Sequence, residues 1–275
     1  MTAAPALPDP ATFLSGEHGH VGGRRRLALR RAGDRALDAW LAATGAPRRL
    51  DALAARTPVR DVAVACVGSS QSGLLEAALA ELRASGHRVE LAIGDAGGRG
   101  KFENLNTLLA DRPAPGWLLV VDDDVSLPPR FLDRFVALCE RCRLDLAQPA
   151  QTLASHAAWR FARRRPFSVL RETNFVEIGP VTAFGLRAAA ELLPFPELRF
   201  GWGLDAHWSA LAAARGWRLG IADALPVRHE QRPVAAGYAT TAATEEAREF
   251  LAGRPYVPAA EAGTTLRVHR RVPSA

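Results

Sequence analysis

With 275 residues, 48% hydrophobic and 23% charged, the chain has the make-up of an ordinary globular protein with room for one large core. No apolar stretch is long enough to span a bilayer, and the first residues lack the basic-then-apolar layout of a secretory signal, so the expectation is a cytoplasmic protein without a transmembrane segment. The net charge of +6 rests mostly on arginine runs at 24–26, 30–31 and 163–165, with no aromatic residues alternating among them as a nucleic-acid stacking platform requires.

Residues 1 to about 23 read as a loose arm, with His18 and His20 in a glycine-rich setting. A helical pattern runs from Arg25 to Ala55, broken by Pro47. The core begins at Asp61 with the strand Val62–Val67, followed by a helix that Ser72 can cap and Gly86 stops. Arg88 to Ile93 is a second strand ending at Gly94 and Asp95. A glycine-rich turn and a short helix, Glu103 to Leu109, lead to a third strand, Trp117 to Val121. This strand–helix alternation is the rhythm of a parallel sheet with right-handed crossovers.

Ser126, Pro128 and Pro129 open the next helix, Pro128 to Arg141, in which Cys139 and Cys142 lie one turn apart; a lone pair of this spacing reads as packing rather than zinc. Strands follow at Leu144–Gln148 and Ile178–Phe184, then a helix after Leu186, in an arrangement irregular enough to predict a mixed sheet. A terminal helix at Glu245–Leu251 precedes an extended tail. The expected organisation is an N-terminal arm and helix packing on the core over 1–57, a core α/β domain over 58–232 and a C-terminal helix and tail over 233–275.

Asp122, Asp123 and Asp124 stand where the third strand leaves the sheet, the edge at which ligands collect in open α/β folds. Carboxylates so close repel unless a cation offsets them. In an extended segment Asp122 and Asp124 point one way and Asp123 the other, which suits a hard divalent ion. Upstream, Gly97, Gly98 and Gly100 let the backbone approach a ligand, with Lys101 placed to meet a phosphate. The spacing is neither a Walker loop nor a dinucleotide fingerprint. Downstream, Gly201-Trp202-Gly203-Leu204-Asp205 opens a helix. Asp205 reads either as its N-cap or as a general base at a rigid helix start, and Trp202 as a ligand wall or core. His229 follows a short apolar segment.

Taken together, Gly100-Lys101 through Asn106, the strand with Asp122–Asp124, Gly203-Leu204-Asp205 and His229 resemble the inverting glycosyltransferases of family 2 over residues 60 to 230. Leu204 stands where that family usually has Glu, and its membrane-bound members' Gln-x-x-Arg-Trp motif is absent. The resemblance implies a single Rossmann-like nucleotide-diphospho-sugar transferase (GT-A) domain with a mixed, mainly parallel central sheet and flanking helices. It implies a nucleoside-diphosphate sugar bound near Asp95, Lys101, Asn106, Asp122, Asp123, Trp202 and Gly203. It also implies Mn²⁺ or Mg²⁺ on Asp124 and His229, and Asp205 as base toward an acceptor hydroxyl. Two other readings stay open: a sugar-phosphate nucleotidyltransferase, whose basic signature Cys66-Val67-Gly68-Ser69-Ser70 lacks, and a noncatalytic basic nucleic-acid-binding protein with salt-sensitive affinity.

Overall fold

A computed structural model of the chain describes residues 5–16, 22–68, 73–110, 112, 115–229 and 239–273. His18, His20 and Ser72 lie outside the described residues. The N-terminal pattern forms two helices, α1 (Arg24–Ala43) and α2 (Ala46–Ala54). Pro47 does not break a helix here. The chain turns at Gly45, whose φ of 68° is left-handed, and Pro47 lies in the first turn of α2, where its missing N–H has no intrahelical partner to lose.

The α/β rhythm then appears as expected: β1 (Asp61–Val67), α3 (Gly73–Arg83), β2 (Arg88–Gly94), α4 (Lys101–Leu109) and β3 (Trp117–Val121). A two-residue strand β4 (Val125–Ser126) precedes α5 (Phe131–Cys142). Ser126 therefore belongs to a strand, and the residue before α5 is Arg130 at a φ of 59°. Next come β5 (Leu146–Gln151), β6 (Leu170–Thr173), β7 (Val181–Gly185), α6 (Leu186–Leu192), α7 (Leu204–Arg215), β8 (Leu219–His229), α8 (Thr240–Leu251) and β9 (Thr265–His269). The segment expected as a free C-terminal tail thus supplies β9, which pairs antiparallel with β6.

The strands form one sheet in the order β2-β1-β3-β7-β5-β8-β6-β9, with β4 paired to β8 beside this path. Strands β1, β2, β3, β5, β8 and β9 run one way, and β7 and β6 run against them. The sheet is mixed and mainly parallel in direction, with helices on both faces. The order β2-β1-β3 makes a switch point between β1 and β3, where crossovers leave to opposite sides, the position at whose carboxyl ends open α/β sheets bind ligands.

Successive strand residues feed opposite layers. Val62, Val64, Leu119 and Val121 pack with α2 and α5 through Leu50, Leu53, Phe131 and Phe135. Ala63, Ala65, Leu118 and Val120 pack with α4, α7 and α8 through Phe102, Leu105, Trp208 and Phe250. Burial on both faces is why β3 reads as an unbroken apolar run. The three cysteines are buried and free, and burial pushes the Cys66 thiol up to about 12 and that of Cys142 to about 11, which leaves both protonated and inert. Among the described residues no helix is long and apolar enough to cross a membrane.

Candidate active site

The aspartate run is the turn that joins β3 to β4. It sits over the end of β1, where a Cβ on Gly68 would lie 2.2 Å from the Cβ of Asp123. Only glycine lets the two strand ends approach this closely. With Asp123 against Gly68, Asp122 and Asp124 share the other side, as the alternation of an extended segment predicts.

Asp122 receives an ion pair from Lys101 at 2.6 Å, and both are partly exposed. Lys101 opens α4, and its backbone N–H donates to the Arg199 carbonyl at 3.1 Å. A side chain on Gly100 would collide with that Arg199 backbone, a Cβ lying 2.2 Å from the Arg199 Cα. The glycine-rich turn is therefore needed to dock the start of α4 on the 199–203 loop. Gly179 lies against this ion pair, its Cβ position 3.1 Å from Asp122 Oδ2 and 3.9 Å from Lys101 Nζ.

The imidazole of His229 reaches Asp124 through pairing that joins distant parts of the chain. Strand β4 runs antiparallel to the end of β8, with Val125 opposite His229. His229 Nε2 then lies 2.8 Å from Asp124 Oδ1, both side chains largely buried. Burial opposes protonation of His229, but the Asp124 hydrogen bond and the charges of Asp122 and Asp124 outweigh it and raise its pKa. Nδ1 faces the His156 carbonyl at 3.4 Å. A proton on Nδ1 leaves Nε2 as the ring atom available to a metal. Ligand atoms of Asp122, Asp124 and His229 lie within 4.8 Å of one another. Two carboxylates and an imidazole so close are a donor set that suits Mn²⁺ or Mg²⁺.

Asp205 lies in the first turn of α7 and is buried. It is not the N-cap. Gly203 takes that position at a φ of 85°, and Asp205 is the second helical residue. Its Oδ1 accepts from the Ala206 N–H at 2.9 Å, and Trp159 Nε1 approaches Oδ2 at 3.4 Å. Burial pushes its carboxyl up to about 6, against hydrogen bonds from Ala206, Trp159 and the Ile178 backbone. A carboxylate so poised is a stronger base than a solvated aspartate.

The turn that carries Asp205 is anchored from both sides. A Cβ on Gly201 (φ 76°) would lie 2.1 Å from the Phe102 ring. Glu246 of α8 accepts the N–H groups of Arg199, Phe200 and Gly201 at 2.6, 2.9 and 3.0 Å. Trp202, half-buried, packs against the core on the α7 side. Asn106 spends its amide on the peptide groups of Phe195, donating at 2.7 Å and accepting at 2.8 Å, so it acts on the 195–203 segment rather than joining the carboxylates. Asp95 is exposed just past β2, at the same sheet edge as Asp122, with β1 between them.

Glu177 is the residue that the sequence reading missed. It is buried, its backbone N–H donates to Gln148 Oε1 at 2.6 Å, and its carboxylate accepts from the Gln151 side chain. Gln151 also accepts from Ser155 Oγ at 2.9 Å, and Ser155 in turn accepts the His229 N–H at 2.9 Å. A buried polar chain thus runs from the histidine end of the site to Glu177. The available signal was a single carboxylate inside the apolar run Phe175-Val176-Glu177-Ile178.

Burial, reinforced by the charge of Asp205 and opposed by Gln151 and His229, pushes Glu177 up to about 8. The unfolded chain gives up this proton near the ordinary 4.5, while the folded chain keeps it to about 8. Over that window the folded state binds more protons, so stability falls as pH rises. Glu177→Gln should flatten this decline by up to ~1.4 kcal/mol per pH unit. Urea unfolding from pH 5 to 8 measures it, and an unchanged slope would mean that Glu177 is ionised in the fold.

No protein-family model matches the sequence, and a search of curated proteins finds no match. Among solved structures, the chain is similar to the mannosyltransferase PcManGT from Pyrobaculum calidifontis in complex with GDP-Man and Mn²⁺, at 15% identity over 80% of this chain and 71% of that one, TM-score 0.47. It is similar to S. aureus TarS 1-349 in complex with UDP-GlcNAc, at 13% identity over 65% and 62%, TM-score 0.44. A third is GalNAc-T7 with UDP, GalNAc and Mn²⁺, at 12% identity over 86% of this chain and 56% of that one, TM-score 0.49.

Proposed function

We propose that the chain is a metal-dependent glycosyltransferase that moves a sugar from a nucleoside-diphosphate donor to an acceptor hydroxyl with inversion. The observation that carries this reading is the cluster of Asp122, Asp124 and His229 beside Lys101 at the carboxyl end of β3, with the carboxyl of Asp205 buried at the start of α7. The motif order that resembles family 2, carried by the same residues, agrees with it.

In this reading Asp124 and His229 would hold a Mn²⁺ or Mg²⁺ ion, which would supply charge stabilisation at the diphosphate leaving group when bound. Lys101, released from Asp122, offers its ammonium to the donor's phosphates, while Asp122 turns toward the ribose or sugar. Asp95 and Asp123 border the nucleotide at the sheet edge. Asn106 and Gly203 act by shaping the loop that docks on α4, and Trp202 forms an apolar wall. Asp205 takes the proton from the acceptor hydroxyl as its oxygen attacks the anomeric carbon, and the single displacement inverts that carbon.

Calorimetry with UDP or GDP, with and without Mn²⁺, tests the donor half. Binding should require the ion. Asp124→Ala and His229→Ala should each weaken it by about 10–100-fold in folded protein, the usual cost of disturbing a metal site. Equal affinity in parent and variants would reject the metal assignment.

A further inference from the structure

A second cavity, of about 520 Å³, lies where α1, the start of α2, the segment before β6 and the residues after β9 meet. It shares no lining residue with the carboxylate–histidine cluster. Three arginines, Arg49, Arg270 and Arg271, all exposed, are among its lining residues, and no Asp or Glu is. The nearby acids of α1 and α2 are engaged by other arginines: Asp38 by Arg164, and Asp51 by Arg130 and Arg134. Among the described residues, Arg49, Arg270 and Arg271 form no ion pair.

The apolar part of the wall includes Trp40 and Phe167, whose rings meet edge to face at 5.6 Å. Phe167 is 56% exposed and its backbone is held at a φ of 57°, the left-handed region that a bulky side chain rarely occupies. Backbone held in this region is costly and clusters at ligand-binding sites, although Arg130 and Arg143 adopt it as caps of α5.

We propose that this cavity binds an organic phosphate, with the phosphate on Arg49, Arg270 and Arg271 and its apolar ester group against Trp40 and Phe167. Three arginines on the lining of one cavity favour an anion of more than one charge, and a phosphate monoester carries about −1.5 to −2 at neutral pH. Guanidinium groups match phosphate oxygens in geometry as well as charge. The volume falls within the ~300–1,000 Å³ of small-molecule sites, more than a phosphate ion alone fills. Aromatic walls account for the remaining space by taking an apolar body. The same chemistry is offered by a soluble monoester and by the headgroup of a phosphatidic acid bilayer.

The test uses the full chain. Calorimetry with 1-naphthyl phosphate and with inorganic phosphate, and flotation with phosphatidylcholine vesicles with or without phosphatidic acid, separate the two sources. Naphthyl phosphate should bind more tightly than inorganic phosphate, or phosphatidic acid vesicles should carry the protein up; either outcome supports the site and identifies its source. The double variant R270A/R271A, both residues being exposed, should keep the melting temperature and lose at least about tenfold in binding, as expected when charged hydrogen bonds are removed. Phe167→Gly should raise the melting temperature by relieving the backbone while weakening naphthyl phosphate. The proposal is overturned if naphthyl phosphate binds no better than inorganic phosphate and phosphatidic acid vesicles leave the protein behind, or if R270A/R271A binds as the parent does.

Discussion

Asp205→Asn is expected to lower sugar transfer by about 10²–10⁴-fold, the usual contribution of a general base, with the fold intact. Asparagine fills the same space and its side-chain oxygen can still accept from the Ala206 N–H. It cannot accept a proton from the acceptor hydroxyl. Because Gly203 rather than Asp205 caps α7, the substitution removes no cap, and a loss of rate cannot be assigned to a frayed helix. Donor binding should survive, since the base acts on the acceptor. The parent's rate should fall as pH drops through about 6, where burial places the Asp205 proton. A profile of kcat/KM against pH measures that limb. Near-normal transfer by a folded Asp205→Asn protein would remove Asp205 from the chemistry.

Asp223→Ala is expected to cost about 3–5 kcal/mol of stability, because it leaves a buried guanidinium without its partner. Asp223 and Arg171 are almost fully buried, and the pair is bidentate at 2.9 and 3.0 Å. Asp223 also accepts the Arg165 N–H at 2.9 Å, and Arg171 donates to the carbonyls of Phe161 and Arg163 at 2.9 and 3.0 Å. These bonds fasten the 161–165 segment to β6 and β8. That segment follows Trp159, the aromatic wall of Asp205, so the pair supports the site as well as the sheet. Urea unfolding of the variant measures the loss. A change below ~1 kcal/mol, the median worth of a solvent-exposed pair, would show that water reaches this pair.

Much of the site could be read along the chain because local pattern reports local environment. Five apolar residues from Trp117 to Val121 fit a strand buried on both faces, and three carboxylates directly after it can only lie at its carboxyl end. The glycines at 201 and 203 announced a tight turn, and the structure shows what crowds them: the ring of Phe102 and the side chain of Leu251. Asp205 at a helix start was legible for the same reason, although its depth in the helix was not. A cap and the second helical residue are two positions apart, a difference at helix ends that composition does not encode.

What the sequence by itself determined was the alternation of buried strands and helices from Asp61 to Val121 and the side chains that emerge at their ends. Those properties follow from periodicity and turn chemistry within a few residues. Only the tertiary structure decided which distant ends meet. His229 reaches Asp124 because β4 pairs with the end of β8, and nothing within either segment specifies the other. Glu177 joins the buried chain toward His229 because Gln148, Gln151 and Ser155 lie along and just after β5. Residues 265–269 become an edge strand because β6 leaves its outer side free to pair. Register between segments far apart in sequence is fixed by the packing of the whole core, so contacts of this kind become legible only when the chain is folded.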